Sequence, residues 1–107
     1  MHVAMMLYAG FRLLEVTGPM EVFHEANRLC GATMYEQHLV GPSRGPVVCS
    51  SGVAVSTTEC LLDVSAPFDI VVVPGSPVVG PRHALLMTCA ERCTRTSSTW
   101  VLMHWTW

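Results

Sequence analysis

A chain of 107 residues, half of them hydrophobic and only 13% charged, has the size of one small domain and too few charges for a disordered segment. Its formal net charge of −2, with no lysine and six scattered arginines, presents no basic face to a phosphate backbone, so direct nucleic-acid binding by this segment is not expected. Uninterrupted apolar runs fall short of the ~18 residues that a membrane-spanning helix needs, which removes the membrane from the expected partners.

In chain order, the first element is "HVAMMLY", residues 2–8, an apolar run of strand length closed by Ala9-Gly10, where glycine permits a sharp turn. No Lys or Arg precedes it and no small-residue cleavage pattern follows, so it reads as a buried strand rather than a secretory signal. "TGPMEVFHEANRLCG" predicts a helix that starts at Gly18-Pro19, where a first-turn proline sacrifices no hydrogen bond, and stops at Gly31. Val22, Phe23, Ala26, Leu29 and Cys30 form its expected buried stripe, with Glu21, His24, Glu25 and Arg28 facing outward. A second strand is expected in "MYEQHLVG", 34–41, and a hairpin-like excursion in "GPVVCSSGVAV" around Ser51-Gly52.

Thr58 is placed to cap a single helical turn in "TECLLDVSAPF", which Pro67 ends. "DIVVVPG", 69–75, is a β-branched run of the kind that forms a central parallel strand covered on both faces. After Pro81, "RHALLMTCAERC" fits a helix of three turns, and "TRTSSTWVLMHWTW" joins a polar β-branched patch to an apolar end holding all three tryptophans. Strand, helix, strand, excursion, strand is the α/β pattern.

The five cysteines are odd in number and irregularly spaced, which argues for reduced thiols and a cytoplasmic home. Cys89 and Cys93 share a helical face, with His83 nearby, but no second pair completes a tetrahedral site, so neither a metal nor another cofactor is expected. Cys30, Cys49 and Cys60 read as small core hydrophobes.

Open α/β sheets gather their chemistry just past the carboxyl ends of the strands. Glu15 lies there, between the first strand and the helix. Either it caps the local turn and faces water, or its carboxylate, steadied by the helix dipole, hydrogen-bonds a nucleophile or a ligand. Pro74-Gly75-Ser76 likewise either ends its strand or aims backbone N–H groups at an oxyanion. No Cys-x-Gly elbow occurs in the chain.

In this order, "VAMMLYAGFRLLEVTGPMEVFHEANRL", "YEQHLVGPSRGPVVCSSGVAV" and "FDIVVVPGSP" resemble the N-terminal half of the ThiJ/PfpI family, within the class I glutamine amidotransferase-like superfamily. "LEVTGPMEVFHEAN" is most similar to the version found at the front of AraC-type transcriptional regulators. The resemblance implies a flavodoxin-like parallel-sheet sandwich, present here as its N-terminal half. It also implies a site made of an elbow Cys, an acidic residue bonded to that Cys, and donors from a Pro-Gly-Gly loop. On this reading Glu15 takes the acidic position and Gly75 the first loop glycine, while Ser76 replaces the second. Gly10, Gly18 and Pro19 form the turn and the helix start.

Residues 1–82 are accordingly expected to be a partial ThiJ/PfpI-like domain and 83–107 a divergent segment, the product of a frameshift or an early stop. Without the elbow Cys, the resemblance implies a sensor or regulatory module of an AraC-type regulator that binds a small molecule without turning it over. A truncated isonitrile-hydratase-like or deglycase-like enzyme and a non-functional remnant are the alternatives. Half of a parallel sheet exposes an unpaired edge, so self-association is expected.

Overall fold

The computed structural model describes residues 1–64, 68–76 and 94–102, with Leu62 and 94–102 described by their backbone alone. Strands β1 (His2–Met6), β2 (Glu36–Gly41), β5 (Glu59–Cys60), β6 (Phe68–Val73) and β7 (Thr94–Leu102) form one five-stranded sheet in the order β5-β2-β1-β6-β7. Every pairing in it is parallel, with His2 opposite Glu36 and Ala4 opposite both His38 and Val71. Two-residue strands β3 (Val47–Val48) and β4 (Ala54–Val55) make the expected hairpin around Ser51-Gly52. The helix α1 (Leu13–Cys30) follows β1. This is the parallel α/β, flavodoxin-like arrangement anticipated from the sequence.

The continuous apolar run of β1 follows from its place in the middle of the sheet, where both faces are covered. Ala4 and Met6 pack with Val40, Phe68, Val71 and Val73 on one face. Val3, Met5 and Leu7 pack on the other with Phe11, Val16, Val47, Cys49 and Val72, against Leu13, Met20 and Phe23 of α1. Fully burying a side chain of this size contributes about 1.5–3 kcal/mol, so β1 anchors both halves of the core.

The helix differs from the sequence expectation at its start. It begins at Leu13, and Gly18 and Pro19 lie inside it. Tertiary contacts supply the extra turn: Phe11 and Val16 are buried, and the Arg12 N–H donates to the Gly75 carbonyl at 3.0 Å. Pro19 leaves the Glu15 carbonyl without its helical donor, and Gly18 has no Cβ to meet the proline ring, so the helix runs through both.

The buried stripe also differs from the expected one. Leu13, Val16, Met20 and Phe23, spaced by three and four, face the sheet, whereas Val22 (68% exposed), Leu29 (76%) and Cys30 face outward. Cys30 is therefore not a core residue; Cys49 and Cys60 are. Asn27 continues the inward phase and ties the helix end to β2's approach: its Oδ1 accepts from Met34 and Tyr35 N–H at 3.0 and 2.9 Å, and its Nδ2 donates to the Tyr35 carbonyl at 2.8 Å. The helix stops at Gly31, left-handed at φ +68°, as expected.

Thr58 does not cap a helix. Its hydroxyl accepts from the Leu39 N–H at 2.8 Å, and the chain continues into β5 and a 3-10 turn over Leu61–Asp63. No helix among the described residues is long and apolar enough to cross a membrane. The helix expected in "RHALLMTCAERC", with His83, Cys89 and Cys93, lies outside the described residues, as does Pro67.

Candidate functional site

From β1 the chain moves to β2 on one side and later returns to β6 on the other, so the strand order reverses between β1 and β6. Such a reversal opens a crevice at the carboxyl ends of the two strands. The loop from Tyr8 to Glu15 enters it from β1, and Pro74-Gly75-Ser76 enters it from β6.

Four hydrogen bonds join these two segments. The Tyr8 hydroxyl donates to the Pro74 carbonyl at 2.6 Å, and the Ser76 hydroxyl donates to the Gly10 carbonyl at 2.9 Å. The Arg12 N–H donates to the Gly75 carbonyl, and the Gly75 N–H donates to Glu15 Oε2 at 2.5 Å. The Gly75 residue is thus held from both sides by the start of α1. Gly10 makes the turn that brings this about, at φ +87°, with its N–H given to Val48 at 2.9 Å.

Glu15 is 4% exposed and bonds a residue 60 positions away, so it is neither a local cap nor a solvent-facing charge. Its Oε1 is buried with no hydrogen-bond partner among the described residues. An unmade hydrogen bond on a buried acceptor costs ~1–3 kcal/mol. The Gly75 N–H is committed to Glu15, so it does not point at an oxyanion. The loop acts as a clamp on the helix start, and the Ser76 hydroxyl belongs to that clamp.

The hairpin reaches the same edge, because the Ser50 N–H donates to the Phe11 carbonyl at 2.8 Å. Between hairpin and helix lies an open groove of about 710 Å³, lined by Arg12, Leu14, Glu15, Gly18, Pro19, Val22, Ser50 and Ser51 among others. Gly18 and Pro19, expected at the helix start, are instead part of this wall. The groove offers an apolar floor, hydroxyls, one guanidinium and one carboxylate. That set suits an organic molecule bearing a hydrogen-bond donor; with a single carboxylate it lacks the ligands to hold a metal.

Burial pushes the Tyr8 phenol up to about 12, with the Glu15 carboxylate adding to the rise and Arg12 opposing it. Tyr8 therefore remains a neutral donor to Pro74 across the physiological range. The Ser51 hydroxyl, 3.1 Å from Cys49 Sγ, holds that thiol below its ordinary value.

Reading the sequence pointed to Gly10, Glu15, Gly75 and Ser76, which the fold brings together. No role was assigned to Tyr8, Arg12, Ser50 or Ser51. Tyr8 and Arg12 flank Gly10 in the same loop, and that adjacency was an available signal. Ser50 and Ser51 had none, since their place depends on how the hairpin docks.

Comparison with known proteins agrees with this arrangement. A sequence model of the DJ-1/PfpI family matches residues 1–88. An uncharacterized protein in the cpoL 5′ region of Streptomyces lividans is 37% identical over 102 residues, spanning 91% of this chain and 71% of its own. The crystal structure of an AraC family transcriptional regulator from Pseudomonas putida is similar at 26% identity and a TM-score of 0.61, over 85% of this chain and 59% of that one. DJ-1 of Schizosaccharomyces pombe shares the fold at 14% identity and a TM-score of 0.69, over 95% and 57%. The chain thus spans less than two thirds of the length of these solved structures.

Proposed function

Because the chain belongs to the DJ-1/PfpI family, we propose that it is the sensor part of an AraC-type transcriptional regulator, binding a small molecule beside Glu15 without converting it. The observation that carries this reading is the likeness to the Pseudomonas putida regulator, which at 26% identity reaches beyond shared fold. The groove supports it. Glu15 contributes a buried carboxylate with one oxygen unpaired among the described residues, Arg12 a cation, and Ser50 and Ser51 hydroxyls, around the apolar Leu14, Pro19 and Val22. A ligand of matching chemistry is a compact amphipathic molecule with an amide or hydroxyl donor.

The thiols of Cys30, Cys49 and Cys60 have surroundings of their own. Cys49 bonds Ser51, Cys60 lies by the Pro42 carbonyl, and Cys30 is on the outer face of α1, so none of these contacts is with Glu15. Self-association is supported by Leu14 (79% exposed), Val22 and Leu29, which make an apolar row along the outside of α1.

The test is a thermal-shift screen of small metabolites on the purified protein, followed by calorimetry and by nuclear magnetic resonance of the bound compound. The expected result is saturable binding, weakened in Glu15→Ala, with the compound recovered unchanged. Conversion of an isonitrile or an α-oxoaldehyde that stops when the thiols are alkylated would instead establish the enzyme reading. Sedimentation of Val22→Glu against the unaltered protein checks self-association, with a shift toward the monomer expected.

A further inference from the structure

At the opposite end of the strands from Glu15, three side chains from two strands converge. His2 of β1 and Glu36 and His38 of β2 project from the same sheet face, because His2 pairs with Glu36 and Ala4 with His38 in parallel register. His2 Nδ1 lies 3.0 Å from His38 Nε2 and 3.5 Å from Glu36 Oε2. One ligand atom from each of the three lies within 4.8 Å of the other two. The edge of a tetrahedron with metal–ligand bonds of ~2.0–2.1 Å is about 3.3 Å, so both close separations already approximate those of a coordinated cation.

The protonation pattern fits as well. The Glu59 carboxylate of β5 can only accept, so His38 Nδ1 carries the proton of the bond between them, and in the neutral ring Nε2 keeps its lone pair toward His2. A carboxylate behind a histidine in this way fixes the ring's tautomer and raises the basicity of the nitrogen facing a metal. The His38 ring is held further by Phe68, with centroids 5.2 Å apart, and its side chain is only 16% exposed. Without a cation, His38 Nε2 and Glu36 Oε2 are two acceptors around one His2 nitrogen, which has a single proton to give. A divalent cation replaces that proton and satisfies both.

We infer that His2, Glu36 and His38 bind one divalent cation of the zinc type, with Glu59 as the positioning residue behind His38. Two imidazole nitrogens and one carboxylate oxygen suit Zn²⁺, Co²⁺ or Ni²⁺ rather than Mg²⁺ or Ca²⁺, and water completes the shell. The ion joins β1 to β2, so its binding energy adds to the stability of the sheet. This inference is independent of the regulatory reading, since it concerns other residues at the other end of the sheet. Glu36 and His38 alternate on one strand, but His2 lies 34 and 36 positions before them and meets them only through strand register.

The test is titration of chelator-treated protein with Co²⁺, followed by absorbance and calorimetry, and thermal melts with and without Zn²⁺. The expected result is one site per chain, a visible absorption spectrum of nitrogen and oxygen ligation without a thiolate charge-transfer band, and a melting temperature raised by Zn²⁺. His2→Asn and Glu36→Gln alter exposed side chains and are expected to keep the circular dichroism of the parent while losing the site. Glu59→Gln is expected to weaken binding roughly ten-fold and to leave the same spectrum, as a positioning residue should. Absence of binding, a thiolate band, or binding unchanged in folded His2→Asn would overturn the inference.

Discussion

Replacing Glu15 by Ala and by Gln separates the two roles its carboxylate plays. The alanine variant loses a charge-assisted bond from the Gly75 N–H, ~1.5–3 kcal/mol, and one buried methylene, ~0.8 kcal/mol. It also removes the buried Oε1, which has no partner among the described residues, and this returns ~1–3 kcal/mol. The net expectation is destabilisation by about 1 kcal/mol, or a melting temperature lower by about 4–8 °C for a domain of this size. Glutamine keeps an acceptor for Gly75 and places an amide where Oε1 stood, so it is expected to stay within ~0.5 kcal/mol of the parent. Urea denaturation followed by circular dichroism measures both. If alanine is as stable as the parent, or if glutamine costs as much as alanine, the Gly75 clamp is not what holds the helix start.

Gly10→Ala is expected to cost about 1–2 kcal/mol from backbone strain alone, because a Cβ there meets only Ser76 Oγ at an ordinary 3.5 Å while φ is +87°. Equilibrium unfolding reads the cost, and no loss would show that the turn relaxes freely. Gly41→Ala fails for a different reason, since its Cβ would stand 2.7 Å from Thr57 Cγ2. A loss of ~1–3 kcal/mol is expected, and Gly41→Ala with Thr57→Ser, which lacks that methyl, should recover much of it. Tyr8 binds its proton more tightly folded than unfolded, so its contribution to stability is complete below pH 10 and is lost as pH rises from 10 to about 12. Tyr8→Phe is expected to abolish that dependence and to remove the phenol titrating near 12 from the ultraviolet absorbance titration.

The parts legible from local pattern were those that local chemistry governs. The apolar runs of β1 and β6 announced buried parallel strands, Gly10 the turn, Gly31 the helix stop, and the residues around Ser51-Gly52 the hairpin. Where the reading failed, a distant contact had overruled a local rule. A proline normally marks the first turn of a helix, yet α1 begins ahead of it because Gly75 holds Arg12 and Glu15. Docking through Leu13, Val16, Met20 and Phe23 sets which side of α1 faces the sheet, which is why Val22, Leu29 and Cys30 lie outside and Asn27 inside. Thr58 has the chemistry of a cap, but β5 pairs with β2 and directs its hydroxyl to Leu39.

By itself, then, the sequence determined the class of fold and the presence of an acidic residue at the mouth of the sheet, because periodicity and turn chemistry act over a few residues. Only the tertiary structure decided what that residue does. Glu15 and Gly75 are 60 positions apart, and nothing near either one specifies that they meet. The reversal of strand order brings them together, so that the Gly75 N–H bonds the Glu15 carboxylate. The same holds for His2, Glu36 and His38, which become neighbours through the pairing of β1 with β2.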